Sequence, residues 1–200
     1  MRKIVFIGGP RGVGKTKVIQ KANAGSHPVI PTGKISKAAQ IRLAKTAGWK
    51  DLSPSEQKAK INQEVLRHIT FQSKKTKLII IDSHYSYHGE PIFTKAELKH
   101  LAKETGASFL FVNISASRKN ILLRILADTS KMRSHEIKKV REDILLNQKF
   151  YEEYRKILAK STGRSISLWN HDVEETAKLL SGFIGDFLSD KWKNSFLIKK

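Results

Sequence analysis

The chain has no cysteine in 200 residues. That excludes disulfides, thiolate catalysis and cysteine-ligated zinc, and it fits a cytoplasmic protein. It also lacks any run of about 18 apolar residues, so no segment reads as a membrane span and no membrane partner is expected. The opening residues resemble a secretory leader only briefly, before Gly8-Gly9-Pro10-Arg11 interrupts the apolar stretch. No Ser/His/Asp hydrolase signature, paired-carboxylate site, internal repeat or low-complexity tract stands out. Negative charge is scarce. Residues 1–50 carry eleven Lys and Arg and no Asp or Glu, and the whole chain holds 38 basic against 18 acidic residues, a formal charge of +20. Such an imbalance points to phosphates, nucleic acid or another polyanion as partner.

What is present is enough for a real core, since 40% of the residues are hydrophobic. Short continuous apolar runs at 3–7, 78–82 and 108–114 read as strands buried on both faces. A strand at 28–32, flanked by prolines, suits a sheet edge, and 165–169 reads as a last strand. Between them lie helical stretches at 15–23, 36–45, from Ser53 onward with Ile61, Val65 and Ile69 on one face, from Thr94 to Gly106, at 121–126, at 136–160 and after Asp172. Ser53-Pro54-Ser55-Glu56 and Thr94-Lys95-Ala96-Glu97 are capping boxes. Strands alternating with helices predict an α/β fold, a parallel sheet covered by helices on both faces.

The sharp signal lies between the first strand and the first helix. Gly9-Pro10-Arg11-Gly12-Val13-Gly14-Lys15-Thr16 fits G-x-x-x-x-G-K-[ST] at every fixed position. The glycines let backbone N–H groups turn inward around a phosphate, and the helix start adds its positive dipole end. Lys15 is placed to reach the β- and γ-phosphates of ATP, and Thr16 to offer its hydroxyl to Mg²⁺; Lys17 follows within the same cradle. Asp82 closes an Ile-rich strand at the carboxyl edge of the sheet, where it is expected to hold the Mg²⁺ ion opposite Thr16. Lys131 and Arg133, in a polar turn between two helices, are candidate cations over the migrating phosphoryl group. His84 and His88 have the i, i+4 spacing of a metal pair but flank Tyr85-Ser86-Tyr87 in what reads as a loop, so a substrate-edge or ordinary loop role is favoured over a metal site.

The order of the phosphate loop, then Asp82-Ser83-His84, then the stretch from Leu123 through Arg124 and Asp128 to Arg133, resembles the archaeal type of adenylate kinase and, more broadly, the P-loop nucleoside monophosphate kinases. The resemblance covers most of the chain up to about residue 180. It implies a three-layer P-loop kinase fold: a five-stranded parallel sheet, helices on both faces, an acceptor-side helical region at about 32–75 and a small lid at 127–135. A single domain over 1–190 would then precede a basic tail at 191–200. It implies transfer of the γ-phosphoryl of Mg·ATP to AMP, with Arg124 against the adenine and Asn170 to Asp172 near the ATP base. The sequence departs from that family where an Arg-rich acceptor stretch reads Gly48-Trp49-Lys50-Asp51-Leu52, where the first lid Arg is Lys131, and where an Asn-Arg pair on the long helix reads Asn147-Gln148. Three functions stay open at this point: a nucleoside monophosphate kinase, an RNA- or ribosome-associated ATPase that holds RNA through its basic N-terminal half, and a polynucleotide 5′-kinase.

Overall fold

The computed structural model describes residues 1–23, 25–87, 89–127, 137–158 and 163–191. Lys131 and Arg133, His88 and the tail from residue 192 lie outside them. Five parallel strands form the central sheet: β1 (Lys3–Gly8), β2 (Val29–Pro31), β3 (Leu78–Asp82), and two strands further along the chain at Ser108–Ser115 and Gly163–Trp169. Between β3 and the next sheet strand a small antiparallel hairpin, β4 (Ser86–Tyr87) with β5 (Glu90–Pro91), occupies what the sequence reads as loop. The last two sheet strands are therefore β6 (Ser108–Ser115) and β7 (Gly163–Trp169). Their order across the sheet is β2-β3-β1-β6-β7, with the proline-flanked β2 at one edge as expected.

Period-two alternation divides the strand side chains between two cores. Val5, Ile7, Leu110, Val112 and Ile114 face α1 (Lys15–Asn23), α5 (Arg118–Ala127) and α7 (Val173–Leu188). Ile4, Phe6, Ile79, Ile81, Phe109 and Phe111 face α3 (Pro54–Lys75), α4 (Lys95–Thr105) and α6 (Ile137–Leu158). These strands read as continuous apolar runs because both faces are covered. Each fully buried Val, Ile or Phe contributes about 1.5–3 kcal/mol.

The capping boxes are formed as read. Ser53 and Thr94 accept from the backbone N–H of Glu56 and Glu97, and each Glu side chain returns to the cap residue. The helix expected at 36–45 starts earlier, as α2 (Thr32–Leu43). It follows β2 without a loop, and Pro31 at its N-cap supplies no side-chain hydrogen bond. Thr32 instead donates to the Ser83 hydroxyl at 2.8 Å, with the Asp82 carbonyl at 3.3 Å. A contact fifty residues away in sequence thus sets where this helix begins, which local capping signals do not encode.

β1 and β3 are hydrogen-bonded neighbours, with Ile7 opposite Asp82. The chain leaving β1 enters α1 on one face of the sheet, whereas the chain leaving β3 passes through the hairpin into α4 on the other. Departures to opposite faces open a crevice at the carboxyl ends of β1 and β3, the position where open α/β sheets bind ligands.

Candidate phosphate-binding site

The loop from Gly9 to Gly14 leaves β1 and ends where α1 begins. Two of its glycines are obligatory on geometric grounds. Gly9 has φ +142° and lies so close to the Ile114 carbonyl that a Cβ could not be placed. Gly14 has φ +90°, and a Cβ there would lie 2.8 Å from the Asn170 amide nitrogen. The helix that follows carries no acid in its first turn, so nothing offsets its positive end.

Lys15 is the first residue of α1, and its side chain folds back over the loop. Nζ donates to the carbonyls of Gly9 at 2.8 Å and Pro10 at 3.1 Å. At 7% exposure this ammonium is held by the loop rather than by solvent. His84 joins it: Nδ1 is 2.8 Å from the Gly9 carbonyl and 3.2 Å from Lys15 Nζ. Thr16 donates its hydroxyl to Asp82 Oδ2 at 2.9 Å. Hydroxyl and carboxylate thus meet across the β1–β3 crevice, one from the helix that follows the loop and one from the adjacent strand end.

The other side of the loop is tied down through the Val13 carbonyl. It accepts from Arg124 Nη1 at 2.7 Å and from Asn170 Nδ2 at 2.7 Å. Asn170 is fully buried; its own N–H donates to the Ser115 carbonyl, and its Oδ1 accepts from Thr176. Arg124 and Asn170 therefore sit on the β6–β7 side of the loop, away from Asp82. Arg11 is exposed at the loop crest. Its backbone N–H donates to Asp143 Oδ2 at 3.0 Å, and its guanidinium lies 5.3 Å from the Tyr87 ring centroid. Lys17 is exposed on α1, and Pro10 and Val13 are buried.

Sequence reasoning did not single out Asp143 or the work of Asn147. Asn147 has no exposed surface and organises the segment after Asp82-Ser83-His84. Its Oδ1 accepts from the backbone N–H groups of Tyr85 at 2.9 Å and Ser86 at 3.4 Å, and its Nδ2 donates to Ser86 Oγ and the Asp143 carbonyl. The i, i+4 pairing of Asp143 and Asn147 on α6 was the available signal, but its meaning depends on α6 crossing this end of the sheet. Tyr85 is likewise central. Its ring stacks on Phe6 with centroids 5.3 Å apart, and its hydroxyl donates to the Val112 carbonyl at 2.9 Å. Burial pushes its phenol well above the ordinary tyrosine range, with Tyr151 and Tyr154 adding to the effect. Among the described residues no cluster of three or more His, Asp or Glu is arranged as a metal cage.

No protein-family model matches the chain, and no curated protein matches it in sequence. Solved structures do match in fold. Shikimate kinase from Acinetobacter baumannii, determined with shikimate, superposes with a TM-score of 0.56 at 16% identity, covering 96% of each chain. YorR protein from Bacillus subtilis, in complex with phosphorylated GDP, gives 0.57 at 14% identity, covering 96% of this chain and 99% of that one. A gluconokinase from Sinorhizobium meliloti gives 0.51 at 13% identity over 96% and 100%. The fold is that of P-loop kinases: a five-stranded parallel sheet between helical layers. At these identities the likeness concerns architecture and does not single out the archaeal adenylate kinases.

Proposed function

We propose that this chain transfers the γ-phosphoryl group of Mg·ATP to a small acceptor, and that the acceptor is a nucleoside monophosphate, AMP first. The observation that carries this reading is the Thr16–Asp82 hydrogen bond beside a glycine loop whose own lysine lies across it. Phosphoryl transfer asks the protein for positioning and charge more than for covalent chemistry. In this reading the loop amides and the positive end of α1 hold the β- and γ-phosphates, and Lys15 exchanges the Gly9 and Pro10 carbonyls for phosphate oxygens.

A hydroxyl and a carboxylate are hard oxygen donors, the set that suits Mg²⁺, so Thr16 and Asp82 would hold the ion. Held there, Mg²⁺ would supply positive charge against the phosphate groups. His84 keeps Lys15 and the Gly9 carbonyl in register. Arg124 and Asn170 brace the loop from the side where the adenine would lie, and Arg11 stands at its crest. Lys131 and Arg133, which lie outside the described residues, are the cations that the family resemblance would supply to the transferred group. Preference for AMP rests on the resemblance of Asp82-Ser83-His84 and of the order of the motifs.

The test is a panel assay. Purified protein is incubated with Mg·ATP and each of AMP, CMP, UMP, GMP and a short RNA bearing a 5′-hydroxyl, and ADP and labelled product are followed. AMP-dependent turnover about 100-fold or more above that of Lys15→Ala is expected. Equal turnover by both proteins removes the proposal. Label appearing on the RNA end moves the acceptor to a polynucleotide.

A further inference from the structure

The basic residues of the first fifty positions do not gather on one surface. Lys15 is buried over the phosphate loop, and Lys3 is buried against the end of α7. Lys21 pairs with Glu174, and Arg42 pairs with Glu64 at 2.8 Å. The concave basic surface lies at the amino edge of the sheet, the end opposite the phosphate loop. There the chain enters β1, α3 delivers into β3 and α4 delivers into β6. Lys3 donates its backbone N–H to the Lys77 carbonyl and Ser108 donates to the Arg2 carbonyl, so residues from three separate segments converge.

A cavity of about 710 Å³ opens at this edge, and Arg2, Lys74, Lys75 and Lys77 line it. Asp190, the acid in its wall, is taken by Lys3 at 2.6 Å. Among the described residues, no ion pair joins Arg2, Lys74, Lys75 or Lys77 to a carboxylate. Four cations thus share one concavity, an arrangement that repels itself until an anion enters. The negative end of α3 accounts for Lys74 and Lys75 in its last turn. It does not account for Arg2 and Lys77, which come from other segments, or for the hollow they surround. One turn before Lys75, Phe71 is 55% exposed, with Lys75 Nζ 3.9 Å from its ring centroid.

We infer that this edge binds single-stranded nucleic acid, with the phosphodiester backbone passing Arg2, Lys74, Lys75 and Lys77 and a base resting at Phe71. A cationic groove beside an exposed aromatic is the combination that holds single strands irrespective of sequence. A single strand can bend into the hollow and offer an unstacked base, whereas a duplex keeps its bases paired inside. The inference does not depend on phosphoryl transfer, because the phosphate loop lies at the other end of every strand.

The experiment is fluorescence anisotropy of a labelled 12-nucleotide oligouridine with the full chain across a salt series. The expected result is binding that survives Lys15→Ala and excess Mg·ATP. The triple reversal Lys74→Glu, Lys75→Glu, Lys77→Glu is expected to weaken it about tenfold or more and to make the log–log salt slope shallower by about two. Phe71→Ala is expected to weaken it about fivefold or more. Reversal of Lys34, Lys37 and Lys45, an equal change in net charge on and beside α2, is expected to weaken it less than about threefold. Thermal unfolding checks that each variant is folded, and Arg2→Glu replaces the triple reversal if that protein is not. Equal loss from the two triple reversals would overturn the inference, as would displacement by Mg·ATP, tighter binding of a duplex, or no binding near 0.1 M salt.

Discussion

A Cβ added to Gly8 would clash with the ring edge of Tyr85, at Cδ2, Cε2 and Cζ. The last residue of β1 and the third residue after β3 therefore pack directly against each other. Tyr85 is wholly buried, in contact with Phe6, Tyr151 and Tyr154, so it has nowhere to move. Gly8→Ala is expected to cost about 3 kcal/mol through overpacking, measured by urea unfolding. Combining it with Tyr85→Leu should cost less than the sum of the two single changes; strict additivity would show that ring and strand do not meet.

Asp82→Asn keeps an oxygen that can accept from Thr16 but removes the charge. Mg²⁺-dependent tightening of ATP binding, read by titration calorimetry, is expected to shrink about tenfold or more, and turnover about 100-fold, with the melting temperature nearly unchanged. If the variant binds ATP with the same Mg²⁺ dependence as the parent, Asp82 has no place at the metal.

Asn147→Ala leaves the buried N–H of Tyr85 without its acceptor. An unsatisfied buried donor costs about 1–3 kcal/mol. Amide exchange at Tyr85 and Ser86 should accelerate more than at β1, because the damage is local to the segment that α6 holds. Unchanged exchange at these two amides would show that the segment is held by other means.

Burial raises the phenols of Tyr85, Tyr151 and Tyr154 above the ordinary tyrosine value of about 10. Unfolding frees them to ionise, so the unfolded chain binds fewer protons than the native one above that pH. Their contribution is complete below about pH 10 and is lost as pH rises further. Stability measured from pH 8 to 11 should therefore fall on the alkaline side, and Tyr154→Phe should flatten the fall. A slope that is the same in both proteins would mean that Tyr154 is not the buried phenol described.

Much of this was legible in the residues. Apolar runs at 3–7, 78–82 and 108–114 announced doubly covered strands, because a segment apolar on both alternating faces has no face for water. The Ser53 and Thr94 capping boxes marked their helices, since capping is a contact over three residues. The phosphate loop was equally plain, its glycines being demanded by local backbone geometry and its lysine and threonine by adjacency. What escaped was whatever depends on distant approach. The start of α2 is drawn by Ser83, the role of Asn147 exists because α6 crosses the segment after β3, and the hairpin at Ser86–Tyr87 and Glu90–Pro91 is too short to show a period.

Charge shows the division most clearly. Sequence alone determined that the protein is strongly basic, that its sheet is parallel and enclosed, and that a glycine-rich loop matching the phosphate-binding pattern follows the first strand, since each is a property of composition or of near neighbours. Only the tertiary structure decided that the acid-free opening fifty residues scatter over several surfaces, and that Arg2 meets Lys74, Lys75 and Lys77 at the amino edge. The reason is topological. A parallel sheet returns its chain to the same edge before each strand, so residues about seventy positions apart share one concavity while neighbours along the chain are carried to opposite ends of the molecule.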